Sequence, residues 1–147
     1  MTPTDELVGL CRSAFRLLRG LKRLTDHELL EPPLLAVLHC TQLLDSPRLS
    51  ELTQQLHLDL STTSRHVRAL TDKGLLSRVE DPTDRRACRL SITPAGAEAV
   101  DRATRARAAR LGEAIAHWSD QDRTALTQLM ERLATDLENT TNGGVRT

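Results

Sequence analysis

One stretch, residues 61–93, constrains the fold of this chain more than any other, because it reads as a short helix followed by a hairpin. On a helical wheel Thr63, Val67 and Leu70 share one narrow sector that can face a core, and Gly74 is expected to end the helix. Ser61 is the expected N-cap, which would point free N–H groups and the positive end of the helix dipole toward a phosphate. The stretch therefore predicts a helix with one buried face and one free polar face.

Two β-prone runs follow this helix and flank a tight turn. The runs are marked by Leu75, Leu76 and Val79, and then by Cys88, Leu90 and Ile92 in alternation with polar residues. Residues 81–84 have turn chemistry, because Pro presets φ and Asp can bond nearby backbone. Cys88 is expected to face inward with Leu90, and Arg85 and Arg86 are expected to project from the end of the hairpin.

A second short helix is predicted just upstream, with Ser50 as its cap and one apolar side formed by Leu49, Leu52 and Leu56. Residues 57–59 make a tight connection to the next helix, so the two helices match a helix-turn-helix. A buried helix is predicted before them and is broken at residues 45–47. Its apolar positions are Leu34, Leu35, Val37, Leu38 and Leu43.

Cationic charge is concentrated in this region. Residues 60–90 contain seven Lys or Arg and four Asp or Glu, a net charge of +3, whereas the whole chain is neutral. Hydroxyl and guanidinium groups suit base edges and phosphates. A solvated amphipathic helix would show the same polar face, but the neighbouring helix and hairpin favour binding to double-stranded DNA. The candidate DNA-binding residues are Ser61, Thr62, Ser64, Arg65, Arg68, Arg85 and Arg86.

These residues also resemble the MarR family of winged helix-turn-helix regulators. The resemblance is carried by residues 61–65, Leu70, 73–75 and Arg78, and by 84–86, Leu90, 92–93 and Gly96; it extends over roughly residues 7–137. It implies a mainly α (α+β) fold, a winged helix-turn-helix with long N- and C-terminal dimerisation helices. It also implies that Arg86, with Arg85 close by, reaches the minor groove while the helix enters the major groove. Asp84 would support the wing by orienting these arginines.

The implied organisation is one MarR-type domain over residues 1–147, with the DNA-binding lobe at 34–93 and dimerisation helices at 5–25 and 94–139. Thr93 and Pro94 start a helix that is expected to reach about His117, and a last helix starts near Ser119 and ends before Asn142. Packing inside one subunit is the alternative for the apolar seams. The proposed dimerisation residues are Leu7, Leu10, Leu17, Leu21, Leu126, Leu133 and Leu137.

Composition excludes several function classes. Phe15 and Trp118 are the only aromatic residues, which argues against single-stranded nucleic acid as a partner, because bases there stack on aromatic side chains. No apolar run approaches the roughly 20 residues that span a bilayer, so no membrane contact is predicted. No export signal is evident, and three cysteines without framework spacing fit free thiols, so a cytoplasmic location is expected.

Other sites receive less support. No catalytic motif is present, so neither an enzyme nor a cofactor is predicted. His27, Glu28, Glu31, His39 and Cys40 are close in sequence, but His39 and Cys40 diverge on a helix, so no metal site is predicted. Cys11 could sense oxidants, although burial beside the leucine seam would reduce its reactivity and no Tyr is present to hold a thiolate.

The sequence therefore predicts a homodimeric, sequence-specific regulator, a ligand-responsive repressor on a pseudopalindromic operator. A small-molecule effector is the family default, in a crevice lined by the first helix, residues 34–44 and the helix after Pro94. The alternatives are a winged-helix module that recognises an acidic protein, or a metal- or thiol-responsive regulator of the same fold. The operator, the regulated genes, the effector and the sign of regulation stay open.

Overall fold

The computed structural model describes residues 2–24 and 30–143. Within them lie six helices and one two-stranded antiparallel sheet, which confirms the mainly α (α+β) class. His27 and Glu28 lie outside the described residues. Two compact units divide the chain, one ending at Arg110 and one beginning at Leu111. The elements are α1 (Pro3–Leu24), α2 (Pro32–Leu44), α3 (Leu49–Leu56), α4 (Leu60–Asp72), β1 (Leu76–Glu80), β2 (Cys88–Ile92), α5 (Pro94–Ala114) and α6 (Asp120–Gly143).

The core of the first unit is built around α2, whose side chains are apolar almost all round, as a helix buried on most sides requires. Leu43 is an exception to the prediction, because it lies on the same side of α2 as the exposed Ala36 and His39 and is itself exposed. The helix then ends where Asp45 and Ser46 adopt positive φ. The other core residues are Leu34, Leu35, Val37, Leu38, Cys40, Leu52, Val67, Leu70, Leu76, Leu90 and Val100.

Helices α3 and α4 form the predicted helix-turn-helix. His57 closes α3 with φ of 52°, and α4 begins three residues later. Thr63, Val67 and Leu70 form the buried face of α4, as the helical wheel predicted. Gly74 takes a φ of 73° after the last turn, a conformation that costs glycine little, and the chain then enters β1.

The hairpin has the predicted strands in the register that pairs Leu76 with Ile92 and Arg78 with Leu90. The N–H of Leu90 also donates to the carbonyl of Pro47 at 2.8 Å, which attaches β2 to the chain just before α3. Cys88 is exposed, so the prediction that it faces inward with Leu90 was wrong. It pairs with Glu80 at the outer end of the hairpin, where the alternation continues but the core has ended.

Helix α5 starts as predicted, because the hydroxyl of Thr93 accepts from the N–H of Gly96 at 3.1 Å. The same hydroxyl donates to the carbonyl of Gly74 at 2.7 Å, so this cap also fixes the start of the hairpin. Gly96 packs against β1 and β2 so closely that a Cβ would stand 2.1 Å from the carbonyl oxygen of Leu75. The helix ends at Ala114, earlier than the predicted His117.

Helix α6 is capped by Ser119, whose hydroxyl accepts from the N–H of Asp122 at 3.1 Å, as predicted. It extends through Gly143, so the expected end before Asn142 was wrong. The hydroxyls of Thr140 and Thr141 donate to carbonyls one turn earlier, so these polar side chains have hydrogen-bond partners within the helix.

Helices α1 and α6 each carry an apolar face that the described chain leaves uncovered. Helix α1 has no buried residue, and Phe15 is 64% exposed. Among the described helices, none is long and apolar enough to cross a membrane. Of the proposed dimerisation residues, Leu21 and Leu126 are half-buried. The exposed ones are Leu7, Leu10, Leu17, Leu133 and Leu137.

Candidate nucleic-acid interface

The exposed face of α4 begins with a carboxylate that the sequence pattern did not predict. Asp59, not Ser61, is the N-cap, and its Oδ1 accepts from the N–H of Thr62 at 2.7 Å. Ser61 lies inside the first turn and donates its hydroxyl proton to Asp59 at 2.7 Å. The hydroxyl of Ser61, followed by the N–H and hydroxyl of Thr62, lowers the pKa of Asp59 to about 2. The helix start therefore carries a carboxylate, and the prediction that Ser61 is the N-cap was wrong.

Two arginines follow on the same face of α4. Arg65 and Arg68 are both exposed, and Arg65 donates to the hydroxyl of Thr62 at 3.4 Å. Ser64 is half-buried beside them. The face thus combines hydroxyl oxygens with guanidinium donors, groups that can bond base edges in a major groove.

The hairpin turn presents the second pair of arginines. The Asp84 carboxylate accepts from the backbone N–H of Arg86 at 3.0 Å, and the Asp84 carbonyl accepts from the N–H of Ala87 at 3.1 Å. Asp84 thereby fixes the backbone on which Arg85 and Arg86 stand, and both side chains are exposed. The described bonds of Asp84 reach the main chain at Arg86 rather than a guanidinium group.

A buried carboxylate, Asp81, holds the base of this turn. Its Oδ2 pairs with Arg48 at 2.7 Å and with Arg89 at 3.1 Å, and its side chain is 0% exposed. Its Oδ1 accepts from the N–H and the hydroxyl of Thr83 at 2.9 and 2.8 Å. The bonds from Thr83, together with Arg48, hold the pKa of Asp81 well below its ordinary range although burial opposes the shift. We call Asp81, Arg48 and Arg89 the wing clamp.

Sequence reasoning predicted the turn bonds of Asp81 but not the clamp. Arg48 is 33 residues away along the chain, so no local pattern pairs it with Asp81. The available sequence signal was the acidic pair Glu80-Asp81 at the end of β1 and an Arg in β2. Arg89 also donates to the carbonyl of Ser46 at 3.0 Å, which adds the end of α2 to the same cluster.

A cavity of about 400 Å³ opens between α2 and α5 in the first unit. Its wall is largely apolar, with an imidazole, a hydroxyl and a guanidinium as polar groups. The lining residues are Pro32, Leu35, Ala36, His39, Val100, Thr104 and Arg107.

The metal and thiol candidates are not brought together. His39 is exposed and Cys40 is buried, and burial raises the pKa of the Cys40 thiol. No group of three metal-ligating side chains occurs in residues 2–24 and 30–143. Cys11 is exposed on α1 of the single chain.

The comparisons with known proteins agree with this geometry. Residues 30–88 match the model of the MarR family. The uncharacterized HTH-type transcriptional regulator YxaD of Bacillus subtilis is 33% identical over 86 residues, which are 58% of this chain and 60% of that protein. The putative transcriptional regulatory protein for the hcr operon of Thauera aromatica is 35% identical over 91 residues, 60% of this chain and 55% of that protein. The chain thus spans 55% to 60% of the length of these relatives.

Solved structures share the fold over nearly the whole chain. A MarR family protein from Bacillus stearothermophilus has a TM-score of 0.75 at 20% identity, over 92% of this chain and 95% of that one. The PcaV regulator of Streptomyces coelicolor, with its natural ligand, has a TM-score of 0.63 at 25% identity over 92% and 98%. A MarR variant from E. coli with operator DNA has a TM-score of 0.64 at 20% identity over 90% and 99%. The predicted winged helix-turn-helix fold is confirmed.

Proposed function

We propose, because residues 30–88 match the model of the MarR family, that the chain is a homodimeric, sequence-specific regulator of transcription of that family. It binds a pseudopalindromic operator in double-stranded DNA and acts as a ligand-responsive repressor. Recognition helix α4 enters the major groove, and the hairpin of β1 and β2 is a wing that follows the adjacent minor groove.

The observation that carries the proposal is the pair of basic elements on one lobe. Arg65 and Arg68 stand exposed on α4, while Arg85 and Arg86 stand exposed at the wing tip. The E. coli MarR variant, whose fold is similar, was solved with operator DNA. Guanidinium groups on two separate elements suit a duplex, because one set can read base edges while the other contacts the sugar-phosphate backbone.

Homodimerisation is supported by the uncovered apolar faces. Helix α1 exposes Leu7, Leu10 and Leu17, and helix α6 separately exposes Leu133 and Leu137. Faces of this kind on a chain this short favour a second copy as the cover, because leaving them in water forgoes their burial. Two copies would place their recognition helices one duplex turn apart, near about 34 Å, to enter successive major grooves.

The cavity between α2 and α5 is the proposed effector site. Its lining comes from α2 and α5, two of the three elements that were expected to form the effector crevice, and PcaV, whose fold is similar, was solved with its natural ligand. A ligand that favours a different spacing of the two recognition helices would release DNA by shifting the population of dimer conformations.

The test is selection of bound duplexes from a random pool, followed by band-shift titration of the selected operator with wild type and two variants. Arg65→Ala should relax base preference at one position of each half-site, by about 1–3 kcal/mol if its contact is bidentate. Arg105→Ala is the matched control, because it removes the same charge from an exposed site on α5 where Arg105 pairs with Asp101.

The control should bind with the wild-type preference. Equal affinity of wild type and Arg65→Ala for every selected duplex would contradict the role of α4. Undetectable binding of wild type to any duplex at low salt would contradict DNA binding itself, and would favour a module whose arginines recognise an acidic protein.

A further inference from the structure

We propose that Asp81 is a positioning residue for DNA binding: through Arg48 and Arg89 it fixes the wing tip at a set distance from recognition helix α4. This inference rests on the proposed function and adds the means by which two separate basic elements reach one duplex together. Neither Asp81 nor Arg48 is expected to touch DNA.

The outer half of the wing has little else to hold it. Leu76 and Leu90 anchor the inner end in the core, but Val79, Glu80 and Cys88 toward the tip are exposed. A two-stranded hairpin without packing on its face is only marginally stable in water. The buried contact of this outer half is the Asp81 side chain, which lies directly after β1 and is 0% exposed.

The clamp joins the wing to the helix pair. Arg48 is the residue that precedes the first turn of α3, and its backbone pairs with Arg89 in an isolated β-bridge. The Nε–H of Arg48 donates to Asp81 Oδ2 at 2.8 Å, and a second nitrogen of the same guanidinium lies 2.7 Å from that oxygen, so the contact is a close, charge-assisted one. Helix α3 packs against α4, so a wing that is fixed to Arg48 is also fixed relative to the recognition helix.

The wing tip is built outward from the same carboxylate. The Oδ1 of Asp81 accepts from the N–H of Thr83, and the N–H of Asp81 donates to the carbonyl of Ala87 at 3.3 Å. The Asp84 carboxylate then accepts from the backbone N–H of Arg86. Each bond fixes a main-chain group of the turn, two of them to an Asp carboxylate, so the backbone position of the arginines depends on Asp81. Losing the clamp charge should loosen these bonds and let the tip move relative to α4.

The deciding experiment is a double-mutant cycle with Asp81→Asn and Arg86→Ala on the selected operator. Asparagine keeps the size of the side chain and can still accept from Thr83, but it cannot pair with two guanidinium groups. Each single variant should weaken binding at least about tenfold, the scale of one lost bond to a charged group. The double variant should bind no more than about threefold more weakly than Arg86→Ala alone. Asp81 acts by positioning Arg86, so loosening the tip has little further effect on affinity once that arginine is gone.

Controls separate positioning from loss of folding. Asp101→Asn removes an exposed carboxylate paired on α5 and should bind as wild type. Arg89→Gln leaves the contact between Arg48 and Asp81 in place, so this variant should fold. It should weaken operator binding less than Asp81→Asn does, and it should add little to the loss caused by Arg86→Ala. Wild-type affinity of a folded Asp81→Asn, or effects of Asp81→Asn and Arg86→Ala that multiply, would overturn the proposal. If Asp81→Asn does not fold, the Arg89→Gln cycle decides by the same criterion.

Hydrogen exchange tests the clamp without DNA. In Asp81→Asn or Arg89→Gln, the amides of Asp81 and Ala87 should exchange at least about tenfold faster than in wild type, while amides in α4 keep wild-type rates. Failure of wild type to bind any duplex would reject the proposed function but leave this readout intact. Unchanged exchange at the wing tip in both variants would overturn the clamp.

Discussion

Replacing Arg86 by Ala should reduce the salt dependence of operator binding as well as the affinity. Arg86 stands exposed at the wing tip, and its backbone is fixed by Asp84. A guanidinium that neutralises phosphate charge releases counterions, so log affinity falls with log salt by about 0.9 per neutralised phosphate. The slope therefore counts charged contacts independently of the base sequence.

The structure bounds the size of the effect. Each protomer exposes Arg65, Arg68, Arg85 and Arg86 on the proposed interface, so a dimer offers eight guanidinium groups and a limiting slope of about −7. Removing Arg86 from both protomers should reduce the slope by about 1.8. Raising salt from 50 to 200 mM would then cost the wild type about 2 × 10⁴-fold in affinity and the variant about 2 × 10³-fold.

The assay is fluorescence anisotropy of one labelled operator at five salt concentrations, with Arg105→Ala as a control of equal charge. Arg105 is 80% exposed on α5 and paired with Asp101, so its loss should leave the slope unchanged. Equal slopes for wild type and Arg86→Ala would refute the reasoning, and equal reductions in both variants would assign the effect to net charge rather than to the wing.

Three further perturbations probe the interface, the packing and the clamp. Leu133→Asp should raise the dimer dissociation constant at least about a hundredfold in sedimentation equilibrium, because a buried unpaired carboxylate is costly; Leu43→Asp, at an equally apolar but uninvolved exposed site, should leave it unchanged. Gly96→Ala places a Cβ 2.1 Å from a backbone oxygen and should lower the free energy of unfolding, measured in urea, by about 1–3 kcal/mol. Gly112→Ala is the control, because a Cβ there meets nothing within 4 Å and should not lower it. Because the pKa of Asp81 is depressed, its contribution is complete above the unfolded value of about 3.9 and lost as pH falls through the lower folded value. Wing amides followed by NMR should therefore keep their protection from pH 8 to about pH 5, and loosening near neutral pH would contradict this assignment.

The parts of the fold that follow from local patterns were predictable. Thr63, Val67 and Leu70 recur at helical spacing, so their order in the sequence is enough to assign their shared face to the core. Thr93 before Pro94 is a cap whose chemistry is complete within four residues. Periodicity and turn chemistry are local signals, and they located the helices and strands of the winged-helix lobe, but the caps of α3 and α4 are Arg48 and Asp59 rather than the predicted Ser50 and Ser61.

The predictions were wrong where two nearby residues could both cap a helix, or where an apolar residue fits the periodic pattern but does not reach the core. Asp59 and Ser61 both suit an N-cap, and the turn after His57 selects Asp59 by starting the helix at Leu60. Alternation along β2 placed Cys88 inward, but the core ends before the strand does. Leu43 was misassigned because it lies at helical spacing from the exposed Ala36 and His39, on the side of α2 that faces away from the core.

The site was predictable only in part. The exposed arginines of α4 and the wing could be predicted from composition and turn chemistry, because a charged side chain at the end of a hairpin stays in solvent unless it finds a partner. The wing clamp could not, since Arg48 and Asp81 meet through the fold of the whole lobe. The cavity between α2 and α5 was expected as a crevice, but its lining residues come from two helices far apart in the chain.

The stoichiometry of the complex tests the central proposal most directly. Sedimentation equilibrium of wild type mixed with one selected operator duplex gives the number of protomers bound per duplex. If paired protomers present their basic elements to one duplex, two protomers bind per duplex. The mass of the complex should stay at that value when more protein is added. One protomer per duplex, or no complex at low salt, would contradict it.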